Sequence, residues 1–352
     1  MSAVARAALV KAKAAALGLD LCGIAAAGPL DPAPYQKWLD RGWSAGLHYM
    51  KDRVAERMDP RLLVPNARSV IVVACSYGPG STGPAGSVLP QAASREPQAK
   101  VLELSVARYA QNRDYHNVLL KPVRKLAAWL RSDLSAAVYA EVDAGAVAEK
   151  AWAERAGLGW IGKNGCLINE RLGSWLLLGA LVTDAELQPD PPHPDRCGDC
   201  SACLPACPTD AFPEPRYVDA NRCLAYHTIE HRGPIPEELA ARAGGRVFGC
   251  DLCQEVCPWN RRAPGATLVT LRPRPEQRAF EPADVLAMTD ASFRARFTGT
   301  PLMRAGRDGL VRSALALLDR PVPARLRPLV EALIDDPAEG VRVEARRALA
   351  AS

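Results

Sequence analysis

The chain has 352 residues, of which 48% are hydrophobic and 24% are charged, and its net charge is +5. This length exceeds that of a small electron carrier and predicts two or three domains with a sizeable core. The longest apolar run, at 175–182, is too short to cross a bilayer, and basic residues interrupt the apolar N-terminal segment, so we expect neither a transmembrane helix nor a signal peptide.

Residues 1–190 alternate between helical and strand patterns, which is typical of an α/β fold. The N-terminal twenty residues predict an amphipathic helix, because Arg6, Lys11 and Lys13 interrupt its apolar positions. Three short apolar runs predict buried strands: 69–77, 136–143 and 174–183. Two helical patterns lie between them, at 118–134 and 146–157, and Pro122 is tolerable only near the start of the first.

A glycine motif follows the first of these strands. "GPGSTG" at 78–83 matches the dinucleotide-binding pattern, which requires a helix to begin there so that its amides meet a pyrophosphate. Instead Pro84, Gly86 and Pro90 follow, within a Gly/Ser/Pro-rich stretch that runs to residue 97. That composition predicts a flexible insertion and not a nucleotide site.

Prolines at 189–194 mark a linker, and a crowded run of cysteines follows it. Cys197, Cys200, Cys203 and Cys207 have the spacing C-x2-C-x2-C-x3-C-P of bacterial ferredoxins, in which the fourth thiolate ligates a second cluster. The partner set contains Cys250, Cys253 and Cys257, and Cys223 is the natural substitute for its missing first member. We therefore predict two 4Fe–4S clusters. One is bound by Cys197, Cys200, Cys203 and Cys257, and the other by Cys207, Cys223, Cys250 and Cys253.

Two other interpretations of these cysteines stay open at this point. A zinc site usually pairs two C-x2-C units across a spacer, which three thiols in successive steps fit poorly. Disulfides require an oxidising compartment and leave the two x3-C-P endings unexplained. The remaining Cys22, Cys75 and Cys166 lie in apolar surroundings and are interpreted as small buried hydrophobic residues. Oxygen-sensitive clusters predict a cytoplasmic protein.

The whole charge excess lies in the C-terminal tail. Residues 1–258 hold 28 basic and 28 acidic side chains, whereas residues 259–352 hold 16 arginines against 11 acidic side chains. Arginine binds phosphates and stacks on bases, so a nucleic-acid contact is plausible, although a high-GC codon bias gives a similar composition. The similar segments 308–319 and 339–350 predict either a short HEAT-like helical array or an ordinary helical hairpin.

Several stretches together resemble the epoxyqueuosine reductase family: 59–73, 107–127, 142–168, 223–236 and 249–260. The resemblance implies a cobalamin-dependent enzyme that reduces epoxyqueuosine in the wobble position of tRNA to queuosine. It also implies three domains. These are a cobalamin-binding α/β domain like that of reductive dehalogenases at 1–190, a ferredoxin-like domain with two 4Fe–4S clusters at 191–262, and HEAT-like helices at 263–352.

The resemblance further assigns roles to individual residues. Asp143 matches a proton donor beside the cofactor, and a second group of residues would line the cofactor: Arg57, Lys163, Asn164, His231, Cys250 and Asp251. Arg232 and Gly233 would lie in a loop that meets the substrate. Asp143 closes a predicted strand, a common place for active groups in α/β sheets, although a helix cap is the commoner role of such an aspartate. Beside a bulky apolar corrin we expect desolvation to raise its pKa.

One cobalamin motif is absent. Asp114 and His116 begin a D-x-H-x-x-G pattern, but Leu119 replaces its glycine, so we expect cobalt without a protein ligand. The expected partners are the tRNA and an external electron donor such as flavodoxin or ferredoxin, without a membrane, for a monomeric protein. Two alternatives are a dehalogenase-like reductase of small molecules and an electron-transfer module whose residues 1–190 bind no cofactor.

Overall fold

The computed structural model describes residues 1–80 and 103–350. Most of the insertion predicted at 78–97 lies outside the described residues. The described helices are α1 (Ala3–Ala16), α2 (Ala33–Asp40), α3 (Val54–Met58), α4 (Tyr115–Asp133), α5 (Glu149–Arg155), α6 (Leu224–Ile229), α7 (Glu237–Ala240), α8 (Leu252–Glu255), α9 (Pro282–Leu286), α10 (Asp290–Phe297), α11 (Gly306–Ala316), α12 (Arg327–Glu331) and α13 (Glu339–Ala350). The described strands are β1 (Leu21–Ala26), β2 (Ser69–Ser76), β3 (Leu104–Val106), β4 (Val138–Glu141), β5 (Trp160–Ile161), β6 (Leu167–Ile168), β7 (Leu176–Thr183), β8 (Arg246–Phe248) and β9 (Ala279–Phe280).

The larger sheet has the strand order β1-β2-β7-β4, and each pair of neighbours is antiparallel. The three predicted strands are confirmed as β2, β4 and β7. β1 was not predicted, because its sequence LCGIAA is rich in small residues that favour strands weakly. The rule that active groups lie at the carboxyl ends of parallel strands therefore does not apply here, and using it to place Asp143 was wrong.

Strand β2 is buried at every position because both faces of the sheet are covered. Ile71 and Val73 pack with α1 and α4, whereas Val70 and Val72 pack with α5 on the opposite face. Successive side chains of a strand alternate between faces, so one continuous apolar run builds both cores. The sheet is thereby a rigid central layer that carries the loops at its ends.

Helix α4 begins three residues before its predicted start and continues through Pro122. Asp114 caps it by accepting a hydrogen bond from the amide of His116. Proline inside a helix costs about 3 kcal/mol. Burial of side chains such as Leu119, Val123 and Leu126 against the sheet offsets this cost. The longer helix carries Tyr115 and His116 in its first turn.

A smaller sheet joins distant parts of the chain. β3 pairs with β8 in parallel and with β9 in antiparallel, in the order β8-β3-β9. One apolar core includes Leu104, Phe248, Phe280 and Leu310, so the three sequence segments predicted as domains share buried surface. The predicted tail helices are confirmed as α11 and α13. Among the described helices, none is long and apolar enough to span a membrane.

Candidate functional site

The cysteine run after the linker gathers around Cys257. The indole N–H of Trp160 lies 3.3 Å from the sulfur of Cys197, and Cys257 packs in the same small apolar group. Burial, followed by the neighbouring thiols of Cys257, Cys197 and Cys200, raises the pKa of Cys203 to about 11. The structure therefore brings together the four residues predicted for the first cluster.

The second set forms around Cys223, which precedes α6. Burial raises the pKa of Cys223, and the neighbouring thiol of Cys207 adds to this. The pKa of Cys253 is raised by burial and, to a smaller extent, by the thiols around it, which include Cys250 and Cys223. Cys207 thus faces the second set and not the run in which it stands. The amide of Ala211 donates to its sulfur at 3.3 Å, a type of contact that stabilises a cluster thiolate.

These two thiol sets fit two 4Fe–4S clusters. Within the described part of the chain, no three His, Cys, Asp or Glu side chains converge tightly enough to hold a single metal ion. A four-iron cluster is instead bound by thiolates that each reach a different iron. Cys166 is a neighbour of ligands in both sets, because its thiol raises the pKa of Cys223, Cys253 and Cys257 after burial does. The sequence around Cys166 suggested only a small buried hydrophobic residue and did not predict a place beside the cluster cysteines.

Asp143 lies in the loop between β4 and α5, and two glutamates hold that loop. The Glu141 carboxylate accepts hydrogen bonds from the amides of Ala146 and Val147 at 2.9 and 2.8 Å. Glu149 accepts one from the amide of Asp143 at 2.6 Å. A Cβ at Gly145 would overlap the Glu141 carboxylate, so any larger residue there would displace that side chain. These bonds hold Asp143 at a φ of 60°, in the left-handed region.

The Asp143 carboxylate receives two donors from the first turn of α4. The hydroxyl of Tyr115 donates a hydrogen bond to its Oδ2, and Nε2 of His116 lies 3.3 Å from the same oxygen. The other ring nitrogen of His116 lies 2.8 Å from Oδ1 of Asp114. The sequence did not predict Tyr115 and His116 as site residues. The Asp-x-His pattern at a helix start was the available signal.

From the sequence, Asp143 was expected to carry a proton, but the structure places the proton elsewhere. Partial desolvation raises the pKa of Asp143, but the bonds from His116 and Tyr115 outweigh it and leave the pKa below its usual value. The Asp143 side chain is also 56% exposed. The expected rise of its pKa is therefore wrong for this structure.

Two neighbours hold the protons instead. Hydrogen bonds to Asp114 and Asp143 raise the pKa of His116 to about 9. Burial, followed by the charge of Asp143, raises the pKa of Glu149 to about 8. At neutral pH the carboxylate of Asp143 is therefore ionised, while its neighbours His116 and Glu149 are protonated.

Lys163 and Asn164 contact the backbone of the cysteine loops. The ammonium of Lys163 donates to the carbonyl of Gly198 at 2.8 Å, and the amide of Asn164 donates to the carbonyl of Cys253 at 3.1 Å. Asn164 is 3% exposed. The predicted turn is present here, and it links the loops of the two thiol sets to the α/β layer.

Arg57 and Asp251 also bind backbone groups. The guanidinium of Arg57 donates to the carbonyl of Tyr49 at 3.2 Å. The carboxylate of Asp251 accepts from the amide of Arg108 at 2.6 Å, and burial raises its pKa to about 6. Burial likewise raises the pKa of Cys250 to about 12. These residues fix the turns on which the site is built.

The segment with His231, Arg232 and Gly233 lies against the C-terminal helices. The His231 ring contacts the carbonyl of Pro234 at 3.2 Å. The guanidinium of Arg232 donates to the carbonyl of Arg304 at 2.8 Å, so the positive charge faces the tail. The carbonyl of Gly233 accepts from a tail arginine.

Between Asp143 and the tail lie an exposed tyrosine and an ion pair. Arg304 makes a bidentate ion pair with Glu230 at 2.9 Å and lies over the ring of Tyr49 at 5.9 Å. Tyr49 is 45% exposed. The charge of Asp143 contributes to the raised pKa of Tyr49, after burial and Glu230, so the two side chains lie near each other. Both ring nitrogens of His116 lie beside carboxylate oxygens, at 2.8 and 3.3 Å, so in this conformation neither nitrogen is free to bind a metal.

Two protein families match parts of the chain. Residues 196–260 match the 4Fe-4S double cluster binding domain. Residues 57–144 match the family described as epoxyqueuosine reductase QueG, DUF1730. The first match covers all eight cysteines predicted as cluster ligands, and the second covers Asp114, Tyr115, His116 and Asp143.

Curated relatives and solved structures are similar over nearly the full length. An epoxyqueuosine reductase of Gloeobacter violaceus is 42% identical over 321 residues, covering 89% of this chain and 95% of the relative. That of Pseudomonas aeruginosa is 40% identical, covering 86% and 81%. A crystal structure of epoxyqueuosine reductase with an epoxyqueuosine-modified tRNA-Tyr stem loop matches with a TM-score of 0.85 and 27% identity, covering 99% and 90%. The Streptococcus thermophilus enzyme matches with a TM-score of 0.83 and 28% identity, covering 98% and 89%.

Proposed function

The chain belongs to the epoxyqueuosine reductase family, and on that premise we propose that it reduces epoxyqueuosine in the wobble position of tRNA to queuosine. The observation that carries this proposal is the similarity over 99% of the chain to an epoxyqueuosine reductase crystallised with its modified stem loop. The chain is accordingly an oxidoreductase. The two converging thiol sets support this function, because deoxygenation of an epoxide requires electrons.

The cofactors are two 4Fe–4S clusters and cobalamin. Cobalamin would supply the bond change at the epoxide, and the clusters would deliver electrons one at a time. We assign Cys197, Cys200, Cys203 and Cys257 to one cluster and Cys207, Cys223, Cys250 and Cys253 to the other. The buried contacts of Asn164 and Asp251 support a role for them in shaping the wall between the clusters and the cobalamin. Arg57, Lys163 and His231 would complete that wall at its outer side.

Asp143 is the proposed proton donor to the epoxide. The reaction consumes two electrons and two protons and releases water, so charge develops on the leaving oxygen and a general acid is required. Asp143 lies at the open end of the group, whereas His116 holds a proton behind it. We propose that His116 first passes its proton to the ionised Asp143, which then gives that proton to the leaving oxygen. Tyr115 orients the carboxylate through the hydrogen bond from its hydroxyl.

The tRNA would approach Asp143 from the side of the tail, where the side chains of Asp143 and Tyr49 are exposed. We propose that the backbone of Arg232 and Gly233 meets the anticodon, since the side chain of Arg232 is already engaged. HEAT-like helices in the tail would add phosphate contacts through their exposed arginines. An external flavodoxin or ferredoxin would reduce the clusters of the monomeric enzyme.

The test uses anaerobically purified protein loaded with iron, sulfide and cobalamin. With a chemical reductant and an epoxyqueuosine-containing stem loop, we expect the modified nucleoside to lose one oxygen atom, as detected by mass spectrometry. A small organohalide in place of the stem loop is the control for a dehalogenase-like activity. Protein that retains both clusters but binds no corrin would indicate an electron-transfer module instead.

A further inference from the structure

A buried arginine of the tail binds the segment that follows the cluster ligand Cys223. Arg312 of α11 is 1% exposed. Its guanidinium donates to the carbonyls of His231 and Gly233 at 2.5 and 2.8 Å, and to that of His227 at 2.6 Å. Three carbonyls of one short segment are therefore held by a single side chain.

This burial needs a physical reason, because a charge removed from water without partners costs several kcal/mol. The carbonyls at the end of α6 carry the negative end of the helix dipole, which favours a cation at that place. Burial lowers the pKa of Arg312 to about 10, and the nearby charge of Glu344 opposes that fall. The side chain therefore remains cationic at neutral pH.

The next tail helix binds the same segment with the opposite charge. Glu344 of α13 is 1% exposed and accepts from the amide of Ile235 at 2.8 Å. Gly340, on the same helix, permits this close approach. A Cβ there would lie 2.9 Å from the carbonyl oxygen of Arg232 and 3.3 Å from Cδ of Arg312. The cation of Arg312 thus binds backbone carbonyls and the carboxylate of Glu344 binds a backbone amide. Together the two helices hold the backbone of residues 227–235.

We propose that Arg312 is a positioning residue, which holds the segment 227–233 in the conformation that the reaction requires. The inference rests on the proposed function, because it takes His231–Gly233 as the loop beside cofactor and substrate. It assigns to the tail a role inside the active site in addition to any contact with RNA. A tail that served only to bind RNA would not need a buried contact with this segment.

A neighbouring arginine provides the matched control. Arg307 lies in the first turn of the same helix and is nearly as buried, with 10% of its side chain exposed. It pairs with Asp336 at 2.5 Å and donates to the carbonyl of Met288 at 3.0 Å, so its buried contacts lie within the tail. Loss of Arg307 should weaken the packing of the tail without releasing residues 227–233.

The experiment compares Arg312→Lys with Arg307→Lys in the cluster- and cobalamin-loaded enzyme. A lysine ammonium cannot reach three carbonyls in one plane, as a guanidinium fork does. We expect both variants to keep both clusters and to unfold at a lower temperature. In Arg312→Lys alone, peptides covering 227–235 should exchange amide hydrogen faster, and kcat/KM for the stem loop should fall on the order of tenfold or more.

A second variant covers the case in which Arg312→Lys does not fold. Gly340→Ala keeps every charge but pushes the segment away, so the same two readouts should change in the same direction. The proposal would be overturned if the Arg312 and Arg307 variants changed hydrogen exchange and kcat/KM equally. It would also be overturned if the Arg312 and Gly340 variants kept wild-type exchange and kinetics. If the wild-type enzyme does not reduce the stem loop, the proposed function fails, whereas the exchange comparison still decides whether Arg312 holds the segment.

Discussion

Replacing Asp143 with asparagine tests the proton arrangement directly. The carboxylate is one of two that hold the proton of His116, since Asp114 binds Nδ1 and Asp143 faces Nε2 at 3.3 Å. Together they raise the pKa of that imidazole from 6.5 to about 9, with Asp114 as the larger contributor. Asparagine keeps the size of the side chain but removes its charge and its acidic proton.

The expected magnitude follows from these contacts. An opposite charge within hydrogen-bonding range shifts a pKa by roughly one to three pH units. Because Asp114 remains, we expect His116 in Asp143→Asn to titrate roughly one pH unit lower than in the wild type, and not to return to 6.5. Epoxide reduction should fall on the order of a hundredfold or more, the usual contribution of a general acid.

Two assays check this prediction. The chain has five histidines, so the imidazole signals can be followed by NMR during a pH titration and assigned with His116→Gln. Single-turnover reduction by pre-reduced enzyme then isolates the chemical step from electron delivery. In the wild type the rate should fall as pH rises through about 9, because His116 then loses its proton.

Asp114→Asn is the matched control, since asparagine also caps helices and the cap of α4 is preserved. It should lower the pKa of His116 at least as much while leaving Asp143 in place. Its rate loss should therefore be small at pH 6 and grow as pH rises. Near wild-type reduction by Asp143→Asn, or an unchanged titration of His116 in that variant, would refute the reasoning.

Three further predictions concern the clusters and the loop of Asp143. Cys207→Ala should lose the cluster of Cys223, Cys250 and Cys253, and iron analysis should show about four atoms in place of about eight; loss of only the other cluster's spectroscopic signal would contradict the assignment. Glu149→Gln should gain in melting temperature over the wild type as pH rises from 5 to 8. The raised pKa of about 8 means that the unfolded state releases this proton first, so the wild type loses stability in that window; a constant difference would count against it. Gly145→Ala should displace Glu141 and abolish epoxide reduction while both clusters stay bound, as absorbance would show; an active variant would mean that the loop has another arrangement.

The clusters were predictable because their ligands are encoded locally. Spacing within 197–207 sets which thiols meet one cluster, and the incomplete second set pointed to Cys223. The strands β2 and β7 were predictable for a similar reason, since an unbroken apolar run must be covered on both faces. β1 was not, because pairing along β2, from Leu21 opposite Ala74 to Ala26 opposite Ser69, stabilises a sequence of weak strand preference.

The number of arginines in the tail did not reveal where their side chains lie. The tail has 16 arginines, which suggested a basic surface, but Arg312 and Arg307 lie inside and bind protein groups. Composition does not distinguish a cation that faces RNA from one that holds a loop. The same limit applies to Asp143, because a contact with His116 across 27 positions depends on how α4 and β4 pack.

The sign of the Asp143 pKa shift connects the structure with the mechanism. Without substrate, the hydrogen bonds from His116 and Tyr115 keep the Asp143 carboxylate ionised, and the proton lies on His116. A bound substrate excludes water from both groups. Desolvation raises the pKa of a carboxylic acid and lowers that of an imidazolium, so the two pKa values move toward each other. We therefore expect the proton to shift from His116 to Asp143 as substrate binds, across a contact of 3.3 Å. Asp143 would then be an acid only in the presence of the epoxide, which limits loss of the proton to solvent.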